Sequence, residues 1–336
     1  MTELEKVSQL AAMVDERLLP LIDHDYVLYG LPNYSNVGDL LIWEGVLEFL
    51  KNVPYKCKGV CAWNEYPTNP LAGDSIILIQ GGGYFGDVWR KAWKHVLDGI
   101  RPYRNNKIIL LPMSIYYEDD ALRKADADYL AEFKDLTICA RDEASFLCAK
   151  TGFLNQVLLV PDMAWHIGRN YLARWSQPSS GKTLLLKRTD KELDSEDIHI
   201  PGIQVDIHDW PTIETLTPSE IRFKKYIRLV NKFQRKLPRM RSLFQNLKDR
   251  SYDLYYRNQM NSRGISFISS YETIYTTRLH GLILSVLLGK EVYFIDNSYG
   301  KLSSCYSTWL KDVDRVHLFE KKDNDAQKDF HHHPHL

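Results

Sequence analysis

Short apolar runs alternate with amphipathic stretches along most of this chain. Runs at Tyr26–Gly30, Tyr55–Val60, Ser75–Gln80, Lys107–Leu111, Leu136–Ala140 and Gln156–Val160 have the length of strands. Between them, Gly38–Leu50, Val88–Arg101, Asp119–Glu132 and Glu143–Lys150 have helical spacing, as do Leu4, Val7, Leu10, Ala11, Val14 and Leu18 over residues 4–19. Continuous apolar strands bracketed by helices predict a parallel sheet covered on both faces. A second alternation follows, with strands expected at Thr183–Lys187, Ile203–Ile207, Ser266–Ile268, Glu272–Thr277 and Glu291–Ile295, and a helix over Leu282–Leu288. The expected fold class is α/β: two Rossmann-like, doubly wound domains facing one another across a cleft. Residues 1–170 are read as the first domain and 171–181, which contain Gln-Pro-Ser-Ser-Gly, as a linker. Residues 182–320 are read as the second domain, and 321–336 as a flexible His-rich tail.

One segment breaks the alternation. An insertion over 220–262 begins with a basic amphipathic stretch: Lys and Arg occur eleven times from Arg222 to Arg250, against one acid, Asp249. Phe223, Tyr226, Leu229, Val230, Phe233, Leu237, Met240, Leu243, Phe244 and Leu247 recur at helical spacing, with a break expected at Pro238. Two readings stand: a helix lying on an anionic membrane surface, or a solvated helix packed on the second domain.

Bulk properties narrow the classes. A chain of 336 residues with 44% hydrophobic and 26% charged positions is that of a soluble globular protein of two domains. Forty-three residues of each sign leave no global field to recruit nucleic acid. Five cysteines follow no framework spacing, and Cys57-x-x-x-Cys61 lacks partners to complete a zinc site, so no metal is expected. The N-terminus reads as a helix start rather than an export signal, and no apolar run reaches membrane-spanning length, so a cytoplasmic location is expected, possible contact with the inner face of the cell membrane included.

Candidate chemistry gathers where strands end. Arg278-Leu279-His280-Gly281 places a fixed cation and a titratable imidazole at a strand–helix junction, where backbone N–H groups also favour an anion. Asn33-Tyr-Ser-Asn36-Val-Gly38-Asp39 follows the run at Tyr26. Gln80-Gly81-Gly82-Gly83-Tyr84-Phe-Gly86 is an apolar strand breaking into a glycine turn, and Ala140-Arg141-Asp142-Glu143 delivers an Arg onto a helix start. In open α/β sheets ligands bind beyond the carboxyl ends of the strands, where all four stretches fall. The glycines also satisfy G-x-G-x-x-G, but the next strand ends at Pro112 without the acid that would hold a ribose, so close backbone approach to a ligand is the favoured reading.

Taken in order, these four stretches resemble the polysaccharide pyruvyl transferase family, over about Tyr26 to Leu310. The resemblance implies a glycosyltransferase-B-like fold and transfer of the pyruvyl unit of phosphoenolpyruvate onto a sugar, closing a ketal with release of phosphate. It further implies a galactose-type hexose of a lipid-linked glycan as acceptor, for capsule or exopolysaccharide. Phosphoenolpyruvate is a co-substrate and no cofactor is expected.

That reaction needs cations for a carboxylate and a phosphate, and a proton donor for the methylene carbon. Arg141 and Arg278, with Leu279, Gly82, Gly83 and Arg188, are the donor-binding candidates; Lys187 points away from Arg188 if the strand alternates. His280 is the catalytic candidate, with Asp39 second as base or partner of the acceptor hydroxyls. Asn36, Gly38, Asp39 and Tyr84 are the acceptor-side candidates. Plainer alternatives stand beside these: a surface Arg278 and a capping His280, Arg141 pairing with Asp142 or Glu143, and Asp39 capping the helix that follows; Asp162 either serves the site or only forms a turn after Pro161. A nucleotide-sugar glycosyltransferase or a non-catalytic glycan-assembly protein of the same fold are the competing functions.

Overall fold

The structure is a computed structural model that describes residues 1–65, 74–193 and 198–319. The His-rich tail expected over 321–336 lies outside the described residues.

Two parallel sheets carry the fold. Strands β1 (Tyr26–Leu31), β2 (Cys57–Ala62), β3 (Ile76–Ile79), β4 (Gly82–Gly86), β5 (Lys107–Tyr116), β6 (Asp135–Ala140) and β7 (Gln156–Leu159) form the first. Its order is β2-β1-β3-β5-β6-β7, with β4 paired to the far half of β5. The second sheet is built from β8 (Thr183–Leu186), β9 (Val205–His208), β10 (Thr273–Thr276), β11 (Glu291–Phe294) and β12 (Val316–Leu318), in the order β12-β11-β10-β8-β9. Helices α1 (Glu3–Leu18), α2 (Val37–Leu50), α3 (Arg90–Ile100), α4 (Asp120–Leu130), α5 (Glu143–Gly152) and α6 (Arg169–Trp175) belong to the first half of the chain. The second half supplies α7 (Pro211–Glu214), α8 (Pro218–Lys236), α9 (Arg241–Ser251), α10 (Arg257–Ser269), α11 (Leu279–Leu287) and α12 (Lys301–Cys305). The two lobes are Rossmann-like and flank a cleft, as in glycosyltransferase-B-like folds.

The sequence explains the elements locally. β3 is Ile-Ile-Leu-Ile with every residue buried, as a central parallel strand requires. α1 opens on a reciprocal capping box between Thr2 and Glu5, satisfying two donors at the helix start. Asn36 caps α2 by accepting from the Gly38 N–H at 3.1 Å. The strand expected to stop at Leu111 continues through Pro112 to Tyr116. Pro112 lies where the register shifts, so its missing N–H costs no ladder bond, and the strand changes neighbour there from β3 to β4. The glycine turn is itself a strand: at Gly86, with φ +128°, a Cβ would lie 1.8 Å from the Tyr116 carbonyl oxygen, so only glycine permits the pairing.

Ser266–Ile268 is not a strand but the end of α10. Its short apolar run belongs to a helical face formed by Met260, Gly264, Ile265 and Ile268, whose period is hidden because Arg257 and Asn261 are buried in the same face. The break at Pro238 falls as expected, between α8 and α9.

The core does not divide between the lobes. Leu10 of α1, Val37 and Leu41 of α2, and Ala164 and Trp165 pack in one continuous cluster with Leu184, Leu186, Ile274 and Leu282 of the second sheet and its helix. The carboxyl ends of both sheets consequently face each other across a cleft whose floor is shared.

Candidate active site

A cavity of about 400 Å³ opens between the two sets of strand ends. Asn36, Gly38, Asp39, Gly83, Tyr84, Arg141, Arg188, Arg278, Leu279 and His280 all line it. Gly82 does not; it backs onto the Tyr84 ring, 3.0 Å from where a Cβ would sit. Arg141, Arg188, Arg278 and Lys301, from beyond the ends of β6, β8, β10 and β11, supply its cations, and Tyr34, Trp63, Tyr84 and Trp89 its aromatic rings.

Arg141 follows the last residue of β6 and is fully enclosed. Its Nε donates to Ser114 Oγ at 2.9 Å and its Nη1 to Asp162 Oδ2 at 2.8 Å. Asp142 makes no direct ion pair with Arg141: its carboxylate caps α5 through the Ser145 N–H and accepts from Ser304 Oγ and, at 3.3 Å, from Ser114 Oγ, the hydroxyl that Arg141 Nε also meets. Nη2 of Arg141 is buried beside Gly83, with no hydrogen-bond partner among the described residues. A Cβ on Gly83 would lie 3.4 Å from that nitrogen and 2.6 Å from Lys301 Nζ, so the glycine keeps the approach to both cations open. Buried donors without partners are costly, so Nη2 is open to a further hydrogen-bond acceptor.

His280 stands on the first turn of α11. Its Nε2 is 3.4 Å from Asp162 Oδ2, an ion-pair distance without hydrogen-bond alignment. Its Nδ1 faces Gly38, where a Cβ would come within 2.7 Å. Asp162 therefore touches both Arg141 and His280, while its Oδ1 accepts from the Ala164 N–H at 2.9 Å. It forms the turn and serves the site at once. Burial pushes its carboxyl up, but the His280 ring and the Arg141 guanidinium outweigh burial and hold its pKa well below the carboxylate range.

The other cations are matched by acids. Nε and Nη2 of Arg278 grip both oxygens of buried Asp209, Nη2 at 2.6 Å, and Asp190 lies 3.4 Å away. Arg188 is engaged at all three nitrogens, two by Asp190 and one by Glu192 at 2.7 Å. It is thus a cation that organises its own loop. Glu192 Oε2 also accepts from Tyr299, Asn297 and Lys301 at 3.0, 3.1 and 3.2 Å, and Oε1 from Trp89 across the cleft at 2.7 Å. Burial raises the Glu192 carboxyl, but Lys301 and Arg188 prevail and hold it well below the usual range. Lys187 is absent from the cavity wall.

At the start of α2, Asp39 Oδ2 accepts from Asn36 Nδ2 at 2.7 Å and Tyr34 Oη at 2.9 Å. Asn36 is the helix cap, so Asp39 is free of that duty. Burial, then the charge of Asp39, drives the Tyr34 hydroxyl well above its ordinary pKa, which keeps it a donor. Asp209, Glu192 and Lys301 escape motif reading: the first two come from loops, Lys301 opens α12 after Gly300, and none stands beside an Arg-His signature. The rule that ligands meet strand ends, applied to β8, β9 and β11, would have reached all three. No group of three or more His, Cys, Asp or Glu side chains is arranged for a metal among the described residues.

The fold is that of a two-lobed, glycosyltransferase-B-like protein with cationic side chains lining its cleft. Residues 36–299 match the model of the polysaccharide pyruvyl transferases, and the chain belongs to that family. EpsO of Bacillus subtilis (strain 168), a provisionally named pyruvyl transferase, is 31% identical over 327 residues, 95% of each chain. Pyruvyl transferase 1 of Schizosaccharomyces pombe is 25% identical over 296 residues, 84% of this chain and 69% of that one. The crystal structure of a functionally uncharacterised Klebsiella pneumoniae protein shares the fold, with a TM-score of 0.62 at 19% identity over 93% of this chain and 99% of that one. The chain is a phosphoenolpyruvate-dependent enzyme that transfers a pyruvyl unit to a sugar as a ketal.

Proposed function

We propose that the donor binds against Arg141, Arg278 and Lys301, with Arg141 Nη2 as the first contact for its carboxylate or phosphate. His280 delivers a proton to the methylene carbon, leaving a cation-like carbon two. A sugar hydroxyl, oriented by Asp39 and Asn36, attacks that carbon; phosphate leaves and a second hydroxyl closes the ring. One hydroxyl proton ends in the new methyl group and the other on phosphate, so the reaction needs only one acid–base cycle. Leu279 and Gly83 shape the donor side. Gly38 seats the His280 ring and Tyr84 borders the acceptor, a hexose of galactose type carried on a lipid-linked glycan. Arg188 acts through Glu192 and Asp190, holding the loop that faces the donor. The observation that carries this reading is the buried Nη2 of Arg141, without a partner among the described residues, on a guanidinium that shares Asp162 with an imidazole 3.4 Å from that carboxylate.

The test is incubation of the protein with phosphoenolpyruvate and lipid-linked or short soluble galactosides. Phosphate release matched by an acceptor gaining one ketal is expected. Release of phosphate without acceptor modification would remove the assignment of the sugar side.

A further inference from the structure

The strongest surface feature outside the cleft is the antiparallel pair α8–α9. Its inner side is anchored: Phe223 and Ile227 pack on Leu40, Tyr256 and Met260, and Lys248 pairs with Glu65 at 3.0 Å. Its outer side is apolar and cationic together. Leu229, Phe233 and Leu237 recur along α8, and Leu243, Leu247 and Leu254 along α9 and the turn after it, each more than two-fifths exposed. Ten of the eleven Lys and Arg residues from Arg222 to Arg250 are exposed, and among the described residues none of the ten has a carboxylate partner. The single acid in the stretch, Asp249, is buried.

We propose that this hairpin docks the enzyme onto an anionic lipid leaflet, with the leucines and Phe233 entering the acyl boundary and the cations meeting the headgroups. Amphipathic helices of this composition lie in the plane of the interface. Nucleic acid would use the charge but leave the leucines in water, and a second copy would bring ten like charges against ten. No helix among the described residues is long and apolar enough to cross a membrane, so contact is lateral. Position supports the assignment. Leu40, buried under Phe223, follows Asp39 in α2, and Tyr256 meets Ser35 through their hydroxyls at 3.2 Å. Thr212 donates to the Ser35 carbonyl at 2.6 Å, and its neighbour Ile213, exposed on α7, lines the cavity. The acceptor side of the cleft thus opens beside the docking face. The inference deepens the reading of a lipid-linked acceptor, yet its test contains none, so either can fail alone.

Full-length protein is sedimented with vesicles of phosphatidylcholine alone or with one-third phosphatidylglycerol. Wild type is expected to bind only the anionic vesicles and to be released by high salt, because the Debye length is about 8 Å at physiological ionic strength and shrinks further. Changing Arg222, Lys224, Lys225, Arg228 and Lys232 to Gln should weaken partitioning at least about 100-fold. Leu229→Ser with Phe233→Ser and Leu243→Ser should also release the protein, while phosphate release with a soluble acceptor and the melting temperature stay unchanged. Wild type left in the supernatant, or a charge variant that sediments as before, would overturn the proposal. So would a serine variant with unaltered vesicle binding, which would leave charge alone and favour a polyanion such as single-stranded nucleic acid.

Discussion

Arg141 and His280 converge on one atom, Oδ2 of Asp162, at 2.8 and 3.4 Å. The first arrives from the end of β6 and the second from the start of α11, so a single carboxylate ties a cation of one lobe to the imidazole of the other. Their spacing is therefore set before any substrate enters, which is what positioning an acid against a bound anion requires.

Replacing Arg141 tests the donor contact. Arg141→Lys retains the charge but loses the fork, so Nη2 has no equivalent. Loss of one charge-assisted hydrogen bond should raise the KM for phosphoenolpyruvate by roughly ten- to a hundredfold. Steady-state phosphate release measures it, and an unchanged KM would take Arg141 out of the donor site.

His280→Gln should separate binding from chemistry. Size and polarity survive while proton transfer does not, and general acid–base catalysis is worth about 10²–10⁴ in rate. The donor should still protect the variant against heat. A variant that loses donor protection but keeps its maximal rate would make His280 a binding residue.

Asp162→Asn addresses stability and its pH dependence. Removing one member of a buried ion pair strands the other, at a cost of roughly 3–5 kcal/mol. The folded pKa values of Asp162 and Glu192 lie below their unfolded values. Their contribution is thus present above the ordinary carboxylate range, about pH 4, and is lost as pH falls toward the folded values. Urea midpoints should fall steeply below that pH in wild type and less steeply in Asp162→Asn. Parallel curves would show that the pair is not coupled to folding.

Asp249 has the opposite sign. Burial pushes its carboxyl up to about 6. The folded state then holds a proton that the unfolded chain has released, so stability declines as pH rises from about 4 to 6. Asp249→Asn should remove that decline and stabilise the protein at neutral pH by about 3 kcal/mol, with no gain near pH 4. Equal urea midpoints at pH 7 would refute it.

Much of the site could be read from local chemistry. Arg141 directly follows an apolar run, while Arg278 and His280 stand just before the apolar run from Leu282 to Leu288, and a strand end is a position that the sequence itself marks. Their partners could not be read this way. Asp162 meets Arg141 across 21 positions and His280 across 118, and Asp209 reaches Arg278 across 69. Pairings of that range are fixed by sheet order. The engagement of Arg188 by Asp190 and Glu192 is local, yet an Arg beside acids in sequence reads equally as a free cation. In the fold, the misassigned Ser266–Ile268 shows the other limit: polar residues buried in a helical face erase the period by which helices are recognised.

The cluster in which Leu10, Val37 and Leu41 pack among the residues of the second sheet bears on how such enzymes could be recombined. A chimera joined between α6 and β8 would give the second sheet a foreign α1 and α2, and with them a mismatched floor. The transplantable unit is therefore discontinuous: the second lobe has to travel with the first helix, or the recipient's helix has to be recut to fit.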